Sequence, residues 1–567
     1  MSDDTPRPLE ARRGLSVAYR GKTLLSVIDP MAQAERVVCS VSKRSRTLYF
    51  CPSPLYGYGL ESLLNHISDD SAILCVEADE QLLAWSMTAM EALFGKRCFL
   101  QDNPRLRLIH AKDAAHLCAL VRETWGSRTF RRVETIRLTG GWQLFPALYA
   151  SLAETLQQDI ALDWGNAMTL VKLGRRYIRN AFRNLALIPR SHTLGDLCFG
   201  KSPVLVLGAG PSLDGVLAGL HRSFGDALYD PDARPFKIIC VDTCLSSLKA
   251  RNIKPDLVAV LESQHWNLRD FIGLGSWEVP IAMDLSALPA TGEVLGGVVF
   301  LFATPWTPLR TFERLHDAGL LPETFRPLGS VGLTATALGL RVTSGPVIIG
   351  GIDFSFTLDR YHARSTPGHL ERLRRQTRFR DILNGEAAFR RGVFAAQSKS
   401  GVAVRSDPAM KTYRDLFERE FAGEPRMGDI AGGLPGNPAL PGSTGLPLGI
   451  TILTPEAAFE RLKGVPYTVH HDPVPPNRAL QKTVAAFIRQ ERASLITLKG
   501  MLTGTAPTSP EHLETLLDEC DYLWAHFPEC AGTGGRRPRG TDISFLKRVR
   551  TEIDPFISIF ERALTTQ

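Results

Sequence analysis

The sequence has ten cysteines and no Cys-x-x-Cys pair among them. Zinc ribbons and thioredoxin-type redox centres are built on that spacing, so neither is expected. Several thiols stand inside apolar runs, Cys75 in AILCVEA and Cys240 in KIICVD, where a free buried thiol is the usual state. No uninterrupted apolar run reaches the roughly 20 residues that a membrane span needs. The first residues, MSDDTPRPLEARRG, are polar and hold no apolar core of the kind a secretory leader carries. A soluble, cytoplasmic protein without a membrane span is therefore expected. An excess of one charge is nearly lacking as well: 66 Lys and Arg face 59 Asp and Glu, a net charge of +7 over 567 residues. So mild an excess does not call for nucleic acid, and it permits an anionic small-molecule substrate.

What is present is ordinary for a globular chain, with 44% hydrophobic and 22% charged residues. This composition excludes a wholly disordered, collagen-like or coiled-coil protein. At roughly 100–200 residues per domain, two to four domains are expected. Periodicity divides the chain into three regions: 1–190, 191–423 and 424–567. In the first, the apolar runs Thr47–Cys51, Ala72–Val76 and Leu106–His110 alternate with helical patterns at Leu60–Ile67, Glu80–Phe94 and Ala111–Arg122. Alternation of this kind predicts a Rossmann-like domain on a parallel sheet. Pro146–Leu187 reads as a long helix with a break at 163–165.

The second region carries the stronger strand–helix signals, at Val204–Leu207, Lys237–Val241, Leu257–Leu261, Val279–Met283, Val298–Phe302 and Val347–Ile349. A helix is expected over Ser330–Leu340 and a basic one over Leu370–Ile382. The third region opens with a Gly/Pro-rich stretch, 423–449; its GGLPGNPALPGSTGLPLG cannot form a long helix or a regular strand, and the stretch reads as a linker or an active-site lid. Helical periods then return at Thr454–Leu462, Arg478–Leu502, Ser509–Phe527 and Asp542–Leu564, so a helical C-terminal region is expected.

Three stretches in the second region carry chemistry. In VLVLGAGPSLD, 204–214, a strand runs into Gly208 and Gly210, and Pro211, Ser212 and Leu213 lead into a helix. Glycine lets backbone approach a phosphate, and the free N–H groups of a helix start favour an anion. Ser212 is then a helix cap or a donor to a phosphate oxygen. The stretch is neither GxGxxG nor a Walker A loop, and a ligand-free tight turn is the rival reading.

In KIICVDTCLSSLKARNIKPDLVAVLES, 237–263, Asp242 and Thr243 end one strand and Glu262 and Ser263 end the next. Ligands of open α/β sheets bind outside the carboxyl ends of the strands, so these residues are candidates for contact with a ribose, a base or a metal. Helix capping is the alternative. In GPVIIGGIDFSFTLDRYHARSTPGH, 345–369, a strand meets glycines and then Asp353, and the loop beyond carries Asp359, Arg360, Tyr361, His362, Arg364 and His369. His362 is either a general acid or base or a solvated loop residue, and Tyr361 and Arg364 are candidates to neutralise a phosphate. A fainter echo lies at 47–77, where Gly57, Gly59 and Glu77 imitate a dinucleotide fingerprint; a structural domain without ligand is the favoured reading there.

Together VLVLGAGPSLD, VD…IKPDLVAVLES, SVGLTATALGL and VIIGGIDFSF…YHARST resemble the motility accessory factor (Maf) flagellin glycosyltransferases, whose central domain is also known as 6-hydroxymethylpterin diphosphokinase MptE-like. The resemblance covers about 191–423 and extends to SVIDPMAQAERVV and LYGYGLESLL near the N-terminus. The Gly-Pro-Ser-Leu turn is also similar to the nucleotide-binding turn of bacterial sialyltransferases, though those carry asparagine where Asp242 and Glu262 stand.

The resemblance implies a sialyltransferase-like central domain that moves a nonulosonic sugar from a CMP-sugar to Ser or Thr of flagellin. No tightly bound cofactor and no metal are then needed. Gly208, Gly210, Pro211, Ser212, Leu213, Asp242, Thr243, Glu262, Tyr361 and Arg364 would bind the donor, with His362 and Asp353 catalytic. Two rivals stand beside this reading. One is an ATP- and Mg²⁺-dependent 6-hydroxymethylpterin diphosphokinase. The other is a non-enzymatic flagellin-binding or assembly factor.

Overall fold

The computed structural model describes residues 5–94, 103–111, 113–126, 129–275, 277–379, 385–431, 444–468, 471–507, 509–531 and 537–565. The chain forms two units, Met1–Lys172 with Trp524–Pro538, and Leu173–Leu523 with Arg539–Gln567.

The first unit begins with an antiparallel meander of β1 (Arg7–Glu10), β2 (Leu15–Tyr19) and β3 (Lys22–Thr23). Helix α1 (Pro30–Ser40) follows, started by Asp29, whose carboxylate accepts the Ala32 N–H, with proline at its first position. Then come β4 (Thr47–Pro52), α2 (Leu60–His66), β5 (Ala72–Glu77), α3 (Glu80–Phe94), β6 (Leu106–His110), α4 (Ala114–Trp125) and β7 (Arg132–Thr135). The four strands β4 to β7 are parallel, in the order β6-β5-β4-β7. Every residue of β4 and β5 is buried, which is why both read as unbroken apolar runs. Helix α5 (Pro146–Asn184) passes through 163–165 without the expected break. Gly165 is exposed and nothing lies near its Cβ position. A glycine there costs only about 1 kcal/mol against alanine, too little to end so long a helix.

The second unit is built on nine parallel strands in the order β18-β17-β14-β9-β10-β11-β12-β13-β8. They are β8 (His192–Thr193), β9 (Val204–Leu207), β10 (Lys237–Val241), β11 (Leu257–Val260), β12 (Val279–Asp284), β13 (Gly296–Phe302), β14 (Val347–Gly350), β17 (Met427–Ile430) and β18 (Ile452–Leu453). A separate hairpin, β15 (Phe394–Gln397) with β16 (Ala403–Ser406), lies outside that sheet. The helices that matter for the site are α6 (Leu213–Phe224), α7 (Leu245–Lys249), α8 (Thr291–Val294), α9 (Arg310–Asp317), α10 (Val331–Val342) and α11 (Pro367–Arg375).

Chain order runs outward from β9 through β10 to β13 on one side and through β14 to β18 on the other. The direction reverses between β9 and β14, the topological switch point of the sheet. Val204–Leu207, Lys237–Val241 and Val347–Gly350 are buried throughout and form the centre of the core.

The mixed α/β class and the parallel sheets agree with the expectation from sequence. Strands β17 and β18 extend the sheet beyond residue 423. Their sequences, MGDI and IL, are too short for a periodic signal. Helix α11 ends at Arg375, short of the expected Ile382; residues 380–384 lie outside the described ones, as do 432–443 of the Gly/Pro-rich stretch and 532–536. The C-terminal helices Arg478–Thr503 and Ile543–Thr565 are joined by Arg492–Glu561 and Lys499–Asp554 ion pairs. Among the described residues no helix is long and apolar enough to cross a membrane.

Candidate functional site

The three stretches singled out in the sequence meet at the carboxyl edge of the nine-stranded sheet. At the switch point, the turn after β9 and the turn after β14 are pressed together. A Cβ on Gly208 would lie 2.5 Å from the Gly351 carbonyl oxygen, and one on Gly351 would lie 2.4 Å from the Gly208 oxygen. Gly351 also has φ +72°, a backbone conformation that glycine adopts without strain. The Gly208 N–H donates to Gly350 O at 2.8 Å and the Gly210 N–H to Gly351 O at 2.7 Å.

These two amides are therefore engaged within the chain. The glycines are required by the close approach of two turns. Pro211 and Leu213 are buried beside them as packing residues.

Asp353 is engaged within the chain as well. Its carboxylate is 3% exposed and accepts from the Ser212 N–H at 2.7 Å, from the Ser212 hydroxyl, and from Thr444 Oγ1 at 2.8 Å. With both oxygens bonded, it holds the start of α6 to the end of β14. Ser212 is accordingly neither a side-chain cap nor free to donate to a ligand.

The loop after β14 is fastened down by a residue the sequence reading left without a role. Asp214, in the first turn of α6, accepts from Arg251 Nη2 at 2.8 Å, Arg360 Nη1 at 3.0 Å and the Arg364 N–H at 3.1 Å. Ala363 N–H donates to Ala209 O at 2.9 Å, and the Arg364 carbonyl accepts from Ser247 Oγ of α7. So the loop arches from β14 over the ends of β9 and β10. The Arg364 side chain stays exposed, while Asp359 pairs with Arg360 at 3.2 Å. Tyr361 is half-buried, its ring 4.8 Å from that of Phe356, with the Arg372 guanidinium 5.9 Å from its centre. His369 is also half-buried, and its Nδ1 accepts the Ser365 N–H at 3.3 Å.

This fastening sets the position of His362, half-buried beside Tyr361. Burial, and then the positive charges of Arg372 and Arg269, push its imidazole down to about 4. At neutral pH it is an uncharged proton acceptor set near two guanidiniums, an arrangement suited to an anion.

The acids follow strands β10 and β11. Asp242 is 3% exposed; its Oδ1 accepts the Thr243 N–H at 2.8 Å and its Oδ2 the Asn267 amide at 2.6 Å. Thr243 Oγ1 reaches Asp270 Oδ2 at 3.2 Å. Burial raises Asp242, and burial with the neighbouring charge of Asp242 raises Asp270 to about 7. Glu262 is half-buried and accepts the Gln264 N–H at 2.8 Å. The structure thus brings Asp242, Thr243, Glu262 and His362 to one edge, and places Gly208, Gly210, Pro211, Ser212, Leu213 and Asp353 in the foundation beneath it.

Helix α5 braces this edge. Asn180 and Asn184, one turn apart and buried, donate to the carbonyls of Ser263, Ser286, Leu285 and Ala287 at 2.9–3.1 Å. Tyr177, one turn earlier, is raised to about 12 by burial and by Glu262 and Asp284. Asn267, Arg269 and Asp270 also escaped the sequence reading. Their signal was a polar stretch, SQHWNLRD, directly after Glu262.

A doubly wound parallel α/β unit whose carboxyl edge pairs an uncharged histidine and arginines with a row of carboxylates defines a class: a domain suited to an anionic, hydroxyl-bearing ligand. Comparison with known proteins places the fold more closely. Residues 175–359 match the family described as 6-hydroxymethylpterin diphosphokinase MptE-like, so the chain carries an MptE-like domain. Its fold is that of a solved Maf glycosyltransferase from Magnetospirillum magneticum AMB-1, at 15% identity and a TM-score of 0.55, over 99% of this chain and 92% of that one. An uncharacterised protein of Treponema pallidum (strain Nichols) is 28% identical over 98% of this chain and 95% of its own length. The pairing of a Maf fold with an MptE-like domain is the one the sequence motifs resembled.

Proposed function

We propose that this protein is a glycosyltransferase that moves a nonulosonic, sialic-acid-like sugar from a CMP-sugar to Ser or Thr hydroxyls of flagellin. The observation that carries the reading is the uncharged His362 near Arg269 and Arg372, at the carboxyl edge of a sheet with the Maf glycosyltransferase fold. In such a transfer the bond between the anomeric carbon and the phosphate oxygen breaks, and its electron pair stays on the departing CMP. The acceptor oxygen forms the new bond and gives up its proton. His362 is the group suited to take that proton. Bound donor phosphate raises the basicity of the imidazole by offsetting the two guanidiniums, so the base strengthens when the substrate is in place.

The name of the matched family supports a second reading, an ATP-dependent diphosphokinase acting on a pterin alcohol. A thermal-shift series on the full chain separates the two. Stabilisation by CMP and CMP-sugars, with none from ATP, Mg²⁺ and 6-hydroxymethylpterin, is expected. The reverse pattern replaces the glycosyltransferase by the kinase. Silence toward every nucleotide leaves the binding or assembly factor.

A further inference from the structure

The acids at the carboxyl edge contain an imbalance. Asn267 is 4% exposed and its amide nitrogen is fixed on Asp242 Oδ2 at 2.6 Å. That bond sets the amide orientation, because turning the group over would set oxygen against carboxylate. Its Oδ1 is buried and, among the described residues, has no hydrogen-bond partner. Asp270 is 6% exposed, and its Oδ1 likewise has no hydrogen bond, only the Arg269 guanidinium 3.7 Å away. The Thr243 hydroxyl has one proton and two carboxylate neighbours, Asp242 Oδ1 at 3.3 Å and Asp270 Oδ2 at 3.2 Å. Even with a proton on Asp270, acceptors outnumber donors in this cluster, whose neighbours Thr243 and Glu262 are half-open and whose neighbour Arg269 is exposed. Buried acceptors are normally satisfied, so this surplus points to a ligand that brings donors.

We infer that Asp242, Thr243, Asn267 and Asp270 form the subsite for the two ribose hydroxyls of the donor nucleotide. The inference rests on the nucleotide-sugar reading above and adds residues and a specificity to it. A phosphate or a sugar carboxylate is repelled by two carboxyl groups, which leaves the neutral, hydroxyl-bearing part of the donor for this position. The place is right for a ribose: Asp242 ends β10, next to the strand that carries the glycine turn, outside the carboxyl end of the sheet. Among the described residues no set of three or more His, Cys, Asp or Glu is arranged to hold a metal ion, so hydroxyl donors match the cluster better than a cation.

Titration calorimetry of the full chain with CMP and with 2′-deoxy-CMP tests this. A site built on a hydroxyl rejects the analogue that lacks it, and the wild type is expected to favour CMP by about tenfold or more. Asp270→Asn and Thr243→Val keep size and fold. Each is expected to cut that preference to about threefold or less, weakening CMP more than 2′-deoxy-CMP, which keeps only the 3′-hydroxyl. Equal binding of the two nucleotides by the wild type, or an undiminished preference in both variants, overturns the ribose subsite and leaves the nucleotide reading standing. A preference that appears only with added Mg²⁺ assigns the cluster to a cation and overturns it too. Binding of neither nucleotide removes the nucleotide reading and this inference together.

Discussion

The two parallel sheets of this chain end in two very different carboxyl edges. Both reverse direction at a switch point, between β4 and β7 in the first unit and between β9 and β14 in the second. In the first, that edge is filled with the chain's own side chains. Ser53 and Glu77 are fully buried, and Tyr149 of α5 donates its hydroxyl to Glu77 Oε1 at 2.9 Å. A Cβ on Gly141 would strike Ser53 Oγ at 2.1 Å, so the loops after β4 and β7 touch. Gly57 and Gly59 serve turns with φ +70° and +83° and shape the start of α2.

In the second unit the switch point itself is equally closed, by Gly208, Gly351 and Asp353. There, however, the next crevice, over β10 and β11, sets its unsatisfied acceptors beside the half-open Thr243 and Glu262, whereas Ser53 Oγ and Glu77 Oε2 of the first edge, also without hydrogen bonds among the described residues, belong to fully buried residues. A doubly wound sheet supplies the location of a site. Whether the location is used depends on what the loops leave unfilled.

The largest expected effect breaks the second edge. His362→Ala removes the group suited to accept the proton and is expected to slow sugar transfer by about 10²- to 10⁴-fold, with CMP affinity kept within about threefold. Single-turnover transfer and calorimetry check the two halves. An unchanged rate would sink the assignment. NMR titration of the His362 imidazole is the companion measurement: about 4 in the free protein, and higher once CMP is bound.

Next in size is Asp353→Ala, expected to destabilise the second unit by about 3 kcal/mol, because it strips partners from the buried Ser212 amide and hydroxyl. Denaturant unfolding reads this. If the variant is fully stable yet inactive, Asp353 acts in catalysis and its structural role is refuted. Gly351→Ala follows, at about 2 kcal/mol, from a left-handed φ and a collision with the Gly208 carbonyl.

The sequence made the foundation more legible than the site. Buried strands such as VLVL and KIICV announce themselves by continuous apolar runs, and the glycine turn by its composition. The purpose of those glycines is ambiguous in sequence because a turn that admits a phosphate and one that admits a second backbone call for the same residue. Asp353 is ambiguous for a similar reason. A carboxylate after a strand end looks the same in one dimension whether it faces a ligand or a helix start 141 residues away in sequence. Asn267 and Asp270 were overlooked because their meaning lies in partners they lack, and unsatisfied acceptors appear only in three dimensions. Strands β17 and β18 were overlooked because they are too short to show a period. His362 and Asp242 could be singled out as candidates because each follows a recognisable strand, and position beyond a strand end is the information that a sequence carries well.

The smallest effect belongs to the first unit, and its value lies in its sign. Burial pushes Glu77 up from its ordinary range to about 7. A carboxyl whose folded value is raised is protonated in the folded protein while the unfolded chain has already lost its proton. Folding is therefore favoured at pH below the unfolded value of about 4.5, and that stability is lost as pH rises toward 7. Glu77→Gln keeps shape and can still accept from Tyr149, but does not ionise. It is expected to flatten the decline in thermal stability of the first unit between pH 5 and 8, with a gain of about 1 kcal/mol or less near pH 8. Sugar transfer is expected to be unchanged, because the residues proposed for transfer belong to the second unit. Melting curves at pH 5, 6, 7 and 8 beside one transfer assay decide it. A loss of transfer with stability intact would mean that the closed edge opens to a ligand, and the contrast between the two sheets would not survive.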